Sequence, residues 1–315
     1  MEWLIGKIIG IFFIIFIGYA TTKIGWIQPI ATKSLNKILL NIALPSLILY
    51  TITHQDMREG IWLLIYWVLG ALTVVYAAST LIGRLLTKLC RVEDNDCGIY
   101  TYSLTYTNNS FLGLPVAQII FGTASEGFFL MVIGSILSMF LMFSIGIMTL
   151  TQNHGRKRTL KETLNLMLNV PVCTALLGVV LLLLNVQLPA VVNDILSLLG
   201  SMVAPLSMLI IGVQLARSHA RGVFREIRYY GVAVLRLIAI PGILYILLTL
   251  LHAPPLATAI LVLTAAMPSA VAVVVFAEEY GKNAELAAGI VFITTLFSII
   301  TLPVALTLMT PLFNG

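Results

Sequence analysis

Asn108, Asn109 and Ser110 are adjacent in a stretch, Tyr100 to Pro115, whose first half is far too polar to face lipid. Met267, Pro268 and Ser269 interrupt a second, otherwise apolar stretch. Amides and hydroxyls of this kind are weak acids and bases but good hydrogen-bonding groups. With the N–H groups of unwound backbone and the partial positive charge of a half-helix N-terminus, they suit reversible capture of a small anion. Gly113 and Pro115 weaken the first stretch, because glycine is entropically costly in a helix and proline removes a donor. Helix breaks are therefore expected at Gly113 and Pro115 in one stretch and at Pro268 in the other. Non-helical backbone at membrane depth is tolerated where it lines a cavity or is buried in protein. The competing reading is a proline-kinked helix whose asparagines bond to neighbouring helices.

Asn41 and Ser46, near Pro45 in another apolar stretch, are candidates to flank such a cavity, with an ordinary interhelical hydrogen bond as the alternative for Asn41. Arg236 is the one clearly intramembrane charge, which suggests an anion relay on the inner side. Its long side chain could instead snorkel to the headgroups. No Asp or Glu falls in the apolar interior of any stretch, which argues against a carboxylate-based cation site or proton relay. His54, His154, His219 and His252 sit in loops or at interfaces without ligand spacing, and no nucleophile motif or phosphate-binding loop is present. Cys90, Cys97 and Cys173 form no metal spacing and read as free thiols. Nothing points to an enzyme, a metal centre or a cofactor, although coupling to protons or sodium stays open.

The elements that must position these residues follow from composition. Of the 315 residues 59% are hydrophobic and only 10% charged, with a mean hydropathy of +1.03. Soluble domains carry about 25% charge, so a polytopic membrane protein is expected. Counting about 20 apolar residues per span gives ten: 4–22, 34–53, 61–83, 98–121, 127–150, 165–185, 191–216, 229–251, 255–277 and 286–310. The chain also echoes itself. Gly18, Pro29 and Pro45 recur 160 positions later as Gly178, Pro189 and Pro205, and Phe121, Gly122 and Glu126 recur 159 later as Tyr280, Gly281 and Glu285. That register sets Asn108 on Met267 and Asn109 on Pro268, so both halves are interrupted at one place. Two repeats of five spans, 1–155 and 156–315, enter the membrane in opposite senses, as in many secondary transporters.

The net charge of +5 does not imply nucleic acid. Its carriers cluster in alternate loops, at Lys23 to Lys37, Arg84 to Arg91, Arg156 to Lys161, Arg217 to Arg228 and Lys282, leaving Lys7 and Arg58 opposite. By the positive-inside rule these loops are cytoplasmic and both termini lie outside. The positive excess follows the first span instead of preceding it, so that span reads as a retained helix and not a secretory signal.

At Ala265-Ala266-Met267-Pro268, at Val275-Phe276-Ala277-Glu278-Glu279-Tyr280, at Asn108 with Gly113-Leu114-Pro115, and more weakly over Leu35 to Pro45, the chain resembles the auxin efflux carrier family. That family includes plant PIN-FORMED carriers and bacterial organic-acid permeases. The resemblance implies an all-α fold like that of bile-acid sodium symporters: ten helices as a 5+5 inverted repeat with crossed broken helices, and scaffold and transport domains each drawn from both halves. It implies that Asn108 contacts a substrate carboxylate and that Pro268 lies at the crossing. A homodimer is implied as well. Thr107 stands where plant members have proline, and the 152–163 loop is short. The expected activity is secondary transport of a mono- or dicarboxylate such as malate or malonate across a plasma membrane, bacterial inner membrane given the compact loops, by elevator-like alternating access. Sodium-coupled symport of an amphipathic acid and a non-transporting sensor of the same ligand are the alternatives.

Overall fold

In lipid a backbone can satisfy its N–H and C=O groups only within itself, so long apolar runs must form helices. The computed structural model describes residues 2–28, 30–55, 57–151, 168–217, 224 and 226–313. Pro29, the basic residues from Arg156 to Lys161, Arg221, Arg225, His154, His219 and the 152–163 loop lie outside the described residues. Apart from one isolated bridge, the regular structure among the described residues is helical. In chain order it runs α1 (Glu2–Lys23), α2 (Ala31–Ile38), α3 (Leu44–Thr53), α4 (Ile61–Leu89), α5 (Asp94–Thr105), α6 (Leu114–Phe121), α7 (Glu126–Leu141), α8 (Ile147–Leu150), α9 (Val170–Leu183), α10 (Ala190–Ser201), α11 (Val203–Arg217), α12 (Ile227–Val234), α13 (Ile240–Leu250), α14 (Pro255–Ala266), α15 (Ala272–Glu279) and α16 (Ala284–Phe313). Among the described residues six helical runs are long and apolar enough to cross a membrane: 31–53, 61–89, 126–150, 190–216, 227–250 and 284–309. Four shorter apolar helices cover 9–23, 109–121, 170–183 and 255–266. The protein is an all-helical, polytopic membrane protein.

Helical runs are joined by π turns at Leu39–Ala43, Met142–Gly146 and Leu235–Ala239, and a further π turn, Asn109–Gly113, leads into α6. Three of them end two residues before a proline: Pro45, Pro115 and Pro241. Proline offers no N–H to the carbonyl four residues back and crowds it. Widening the turn lets a later N–H take over. Leu44 N–H accordingly donates to Leu39 C=O, and Ile240 N–H to Leu235 C=O, each five residues back. Gly113 and Pro115 therefore do not break their span, contrary to expectation; Gly113 closes a π turn and Pro115 sits in the first turn of α6.

The chain divides into two compact units. The first comprises Met1–Trp62, Ser110–Ile136 and Met167–Arg217, and the second Leu63–Asn109, Leu137–Leu166 and Ser218–Gly315. In the first unit α1 lies against α11 with main chains touching. A Cβ on Gly18 would fall on the backbone of Leu209, and one on Gly212 on the carbonyl oxygen of Ile15. The pair is matched at the 160 offset by α9 and α3, where a Cβ on Gly178 would meet Ile52 side-chain atoms at 3.2 Å. Ile52 is the counterpart of Gly212, and its bulk explains why that second contact runs through a side chain. Gly200 brings α10 to 3.0 Å of the Leu47 backbone on α3 by the same measure. Small residues of this kind let membrane helices associate where no hydrophobic force between them is available.

Candidate functional site

The breaks lie in the second unit, where α5 and α14 both stop and their continuations pair. Asn108 N–H donates to Pro268 C=O at 2.8 Å and Ala270 N–H to Tyr106 C=O at 3.0 Å. Thr107 thereby faces Ser269 in an antiparallel bridge. On the α14 side a local cause contributes: Met267 precedes a proline, which disfavours the helical region, and it is extended (φ −68°, ψ 147°). On the α5 side no proline acts. Tyr106 (φ −97°, ψ 132°) is held by its neighbours, its ring 4.8 Å from that of Tyr102 and 5.5 Å from that of Tyr76, its hydroxyl donating to Leu141 C=O at 3.1 Å. Gly146 has no side chain because Tyr102 and Tyr106 fill the space, with ring atoms 2.9 and 2.8 Å from where a Cβ would sit.

The bridge pairs residues at a separation different from that of the sequence echo. Thr107 opposite Ser269 is an offset of 162, whereas the sequence echo at 159 would equate Asn109 with Pro268. At the 159 offset, at the far ends of both arms, Gly122 (φ +78°) and Gly281 (φ +61°) both have a positive φ. The first arm is therefore three residues longer, and it is the arm that contains the π turn Asn109–Gly113.

Arg236 sits in the π turn between α12 and α13, 1% exposed. Its Nη1 donates to Leu104 C=O at 3.1 Å and its Nε to Met267 C=O at 3.3 Å. Leu104 is in the last turn of α5 and Met267 caps α14. Arg236 does not snorkel, and two of its five N–H donors are committed to backbone carbonyls. Ser269 Oγ donates to Ser103 C=O at 2.9 Å, and Ser269 N–H donates to Thr294 Oγ1 at 3.3 Å. Replacing Thr294 with valine strands that buried N–H. Unfolding stability in detergent should fall by about 1–3 kcal/mol, while Thr249→Val, on an exposed face of α13, stays within about 0.5 kcal/mol of wild type.

The two asparagines differ in their surroundings. Asn109, 2% exposed, donates through Nδ2 to Ser138 Oγ at 3.1 Å and to the Tyr76 hydroxyl at 3.5 Å, and the Tyr76 and Ser138 hydroxyls bond to each other. Asn108, 3% exposed, keeps its Nδ2 buried without a hydrogen-bond partner among the described residues. Buried donors are almost always paired, so this amide is an open valence of the crossing, as are the buried hydroxyls of Tyr102 and Ser103 on α5. Met267, Pro268 and Ser269 are buried beside it. The remaining polar candidates belong to the first unit. Asn41 is exposed in the first unit, Ser46 donates back to Ile42 C=O of its own helix at 2.8 Å, and half-buried Ser110 belongs to the first unit. Tyr76, Ser138 and Thr294 were not visible as site residues, because an isolated hydroxyl in an apolar helix carries no spacing signal. No group of three or more His, Cys, Asp or Glu placed to hold a metal occurs among the described residues.

Residues 3–306 match the family described as membrane transport protein. The chain belongs to this family, that of the auxin efflux carriers. Among its relatives is an uncharacterized transporter of Methanocaldococcus jannaschii, 27% identical over 301 residues, covering 92% of this chain and 93% of the relative. An uncharacterized transporter of Methanothermobacter thermautotrophicus is also 27% identical, over 318 residues, covering 94% and 95%. In this auxin efflux carrier family member both extended segments fall well inside the matched region, and the protein is a membrane transporter.

Proposed function

We propose that the protein is a secondary carrier of a small organic anion, a mono- or dicarboxylate of the malate or malonate type, and that the anion binds at the crossing of Tyr106–Asn108 with Met267–Ala270. The observation that carries this reading is the buried, unpartnered Nδ2 of Asn108 beside unwound backbone. A carboxylate is the ligand such a donor lacks. In this reading the apolar helices form ten spans as a 5+5 inverted repeat, supported by the antiparallel bridge and by the matched glycine contacts at the 160 offset. Transport is an elevator-like movement of the second unit, supported by the confinement of the whole crossing to that unit.

Uptake of labelled malate, malonate, lactate and indole-3-acetate into proteoliposomes tests the reading. Saturable flux of one acid, competed by its unlabelled form, is the expected result. Saturable binding without flux in sealed vesicles would mean a sensor instead. The orientation, with both termini outside a bacterial inner membrane, is tested at Cys90. This exposed thiol follows α4 and lies between Lys88 and Arg91. In a Cys97→Ser, Cys173→Ser background, an impermeant maleimide should label Cys90 in inside-out vesicles and leave it untouched in intact cells.

A further inference from the structure

Two helix C-termini converge on the crossing. The last carbonyls of a helix have no partner within it, and each C-terminus carries a partial charge of about −0.5. α5 and α14 bring two such ends together in a buried place. The charge set against them is Arg236, which bonds to one carbonyl of each end, at Leu104 and Met267. No carboxylate pairs with the guanidinium among the described residues. Backbone carbonyls at half-helix C-termini are the ligands that transporters offer to a coupling cation, and oxygen ligands of this kind suit hard cations generally.

We infer that Arg236 is a tethered cation filling the place of a monovalent coupling ion, so that the crossing is assembled without sodium. The inference rests on the carrier reading for its meaning in transport, but the site itself is a matter of charge and carbonyl geometry. It follows that taking away the guanidinium uncovers a latent sodium site. Arg236→Lys keeps a charge on a flexible stem and keeps the site filled. Arg236→Ala removes charge and bulk together. Arg236→Gln retains a donor for one carbonyl but no charge, and covers the case in which the alanine variant does not fold.

The experiment is thermal unfolding of the purified full-length protein in detergent, in sodium chloride against choline chloride at equal ionic strength. Wild type and Arg236→Lys should unfold at the same temperature in both salts. Arg236→Ala, or Arg236→Gln in its place, should unfold earlier in choline and regain about 3 °C or more in sodium, saturably. A neutral variant that ignores sodium, or a wild type stabilised selectively by it, overturns the inference. No acid enters this measurement. A sodium-selective variant of a protein that carries no acid would keep the role of Arg236 and sink the carrier reading. Acid uptake by wild type that requires sodium would do the reverse.

Discussion

Asn108→Ala should lower affinity for the carried acid by about 10- to 150-fold while leaving the unfolding temperature within about 1 °C of wild type. A hydrogen bond to a charged ligand is worth about 1.5–3 kcal/mol, and each 1.4 kcal/mol is about tenfold in binding. Stability is spared because Nδ2 has no partner among the described residues to lose. Its neighbour gives the contrast. Asn109→Ala forfeits the bonds to Ser138 and Tyr76 and should cost about 1–2 kcal/mol of stability, with a smaller change in affinity. Equilibrium binding of the labelled acid and thermal unfolding, run on both variants, separate the roles. If Asn108→Ala binds as wild type does, the anion is held elsewhere.

Gly212→Leu should abolish recovery of folded protein, a loss above about 4 kcal/mol, of the kind that follows only from a structural clash. A Cβ at this position falls on the Ile15 carbonyl oxygen and 2.7 Å from the Tyr19 nitrogen. Both atoms are backbone, so no side chain can swing away and α1 itself would have to retreat. Gly242→Leu on α13, where nothing lies within 4 Å of the added Cβ, is the matched control. It should be neutral or slightly stabilising, because leucine is the better helix former by up to about 1 kcal/mol. Size-exclusion chromatography after detergent extraction reads both. A monodisperse Gly212→Leu peak at wild-type yield would mean that α1 and α11 are not locked together as described.

The helices were legible because lipid leaves a long apolar run no other way to satisfy its backbone, and the breaks were legible as regions because Asn108, Asn109 and Pro268 are out of place in such runs. Their exact positions were not. Gly113 and Pro115 are the residues that ordinarily stop a helix, yet the chain unwinds at Tyr106–Asn108, which contains neither. The cause there is tertiary: two tyrosine rings, the Leu141 carbonyl and a bridge to residues more than 150 positions away. Arg236 shows the same limit. Its depth in the sequence suggested headgroups or an anion, but its partners are main-chain carbonyls 132 and 31 residues distant. Polarity within an apolar run also says nothing about which way a residue faces, and Asn41 is exposed in the first unit.

The π turns before Pro45, Pro115 and Pro241 carry a further implication. An α-helix advances about 100° per residue, and a π turn holds one residue more than the α-turn it replaces. Each therefore rotates everything upstream of it by that angle about the helix axis. The direction in which Arg236 points is set by chain length as much as by composition. Deleting one residue from Leu235–Ala239, with Pro241 changed to a donor, would leave every other remaining side chain unchanged and aim the upstream face of the helix at a different neighbour. In a chain of this kind a single-residue gap is a change of bearing, and it would be read as such when related sequences are laid beside this one.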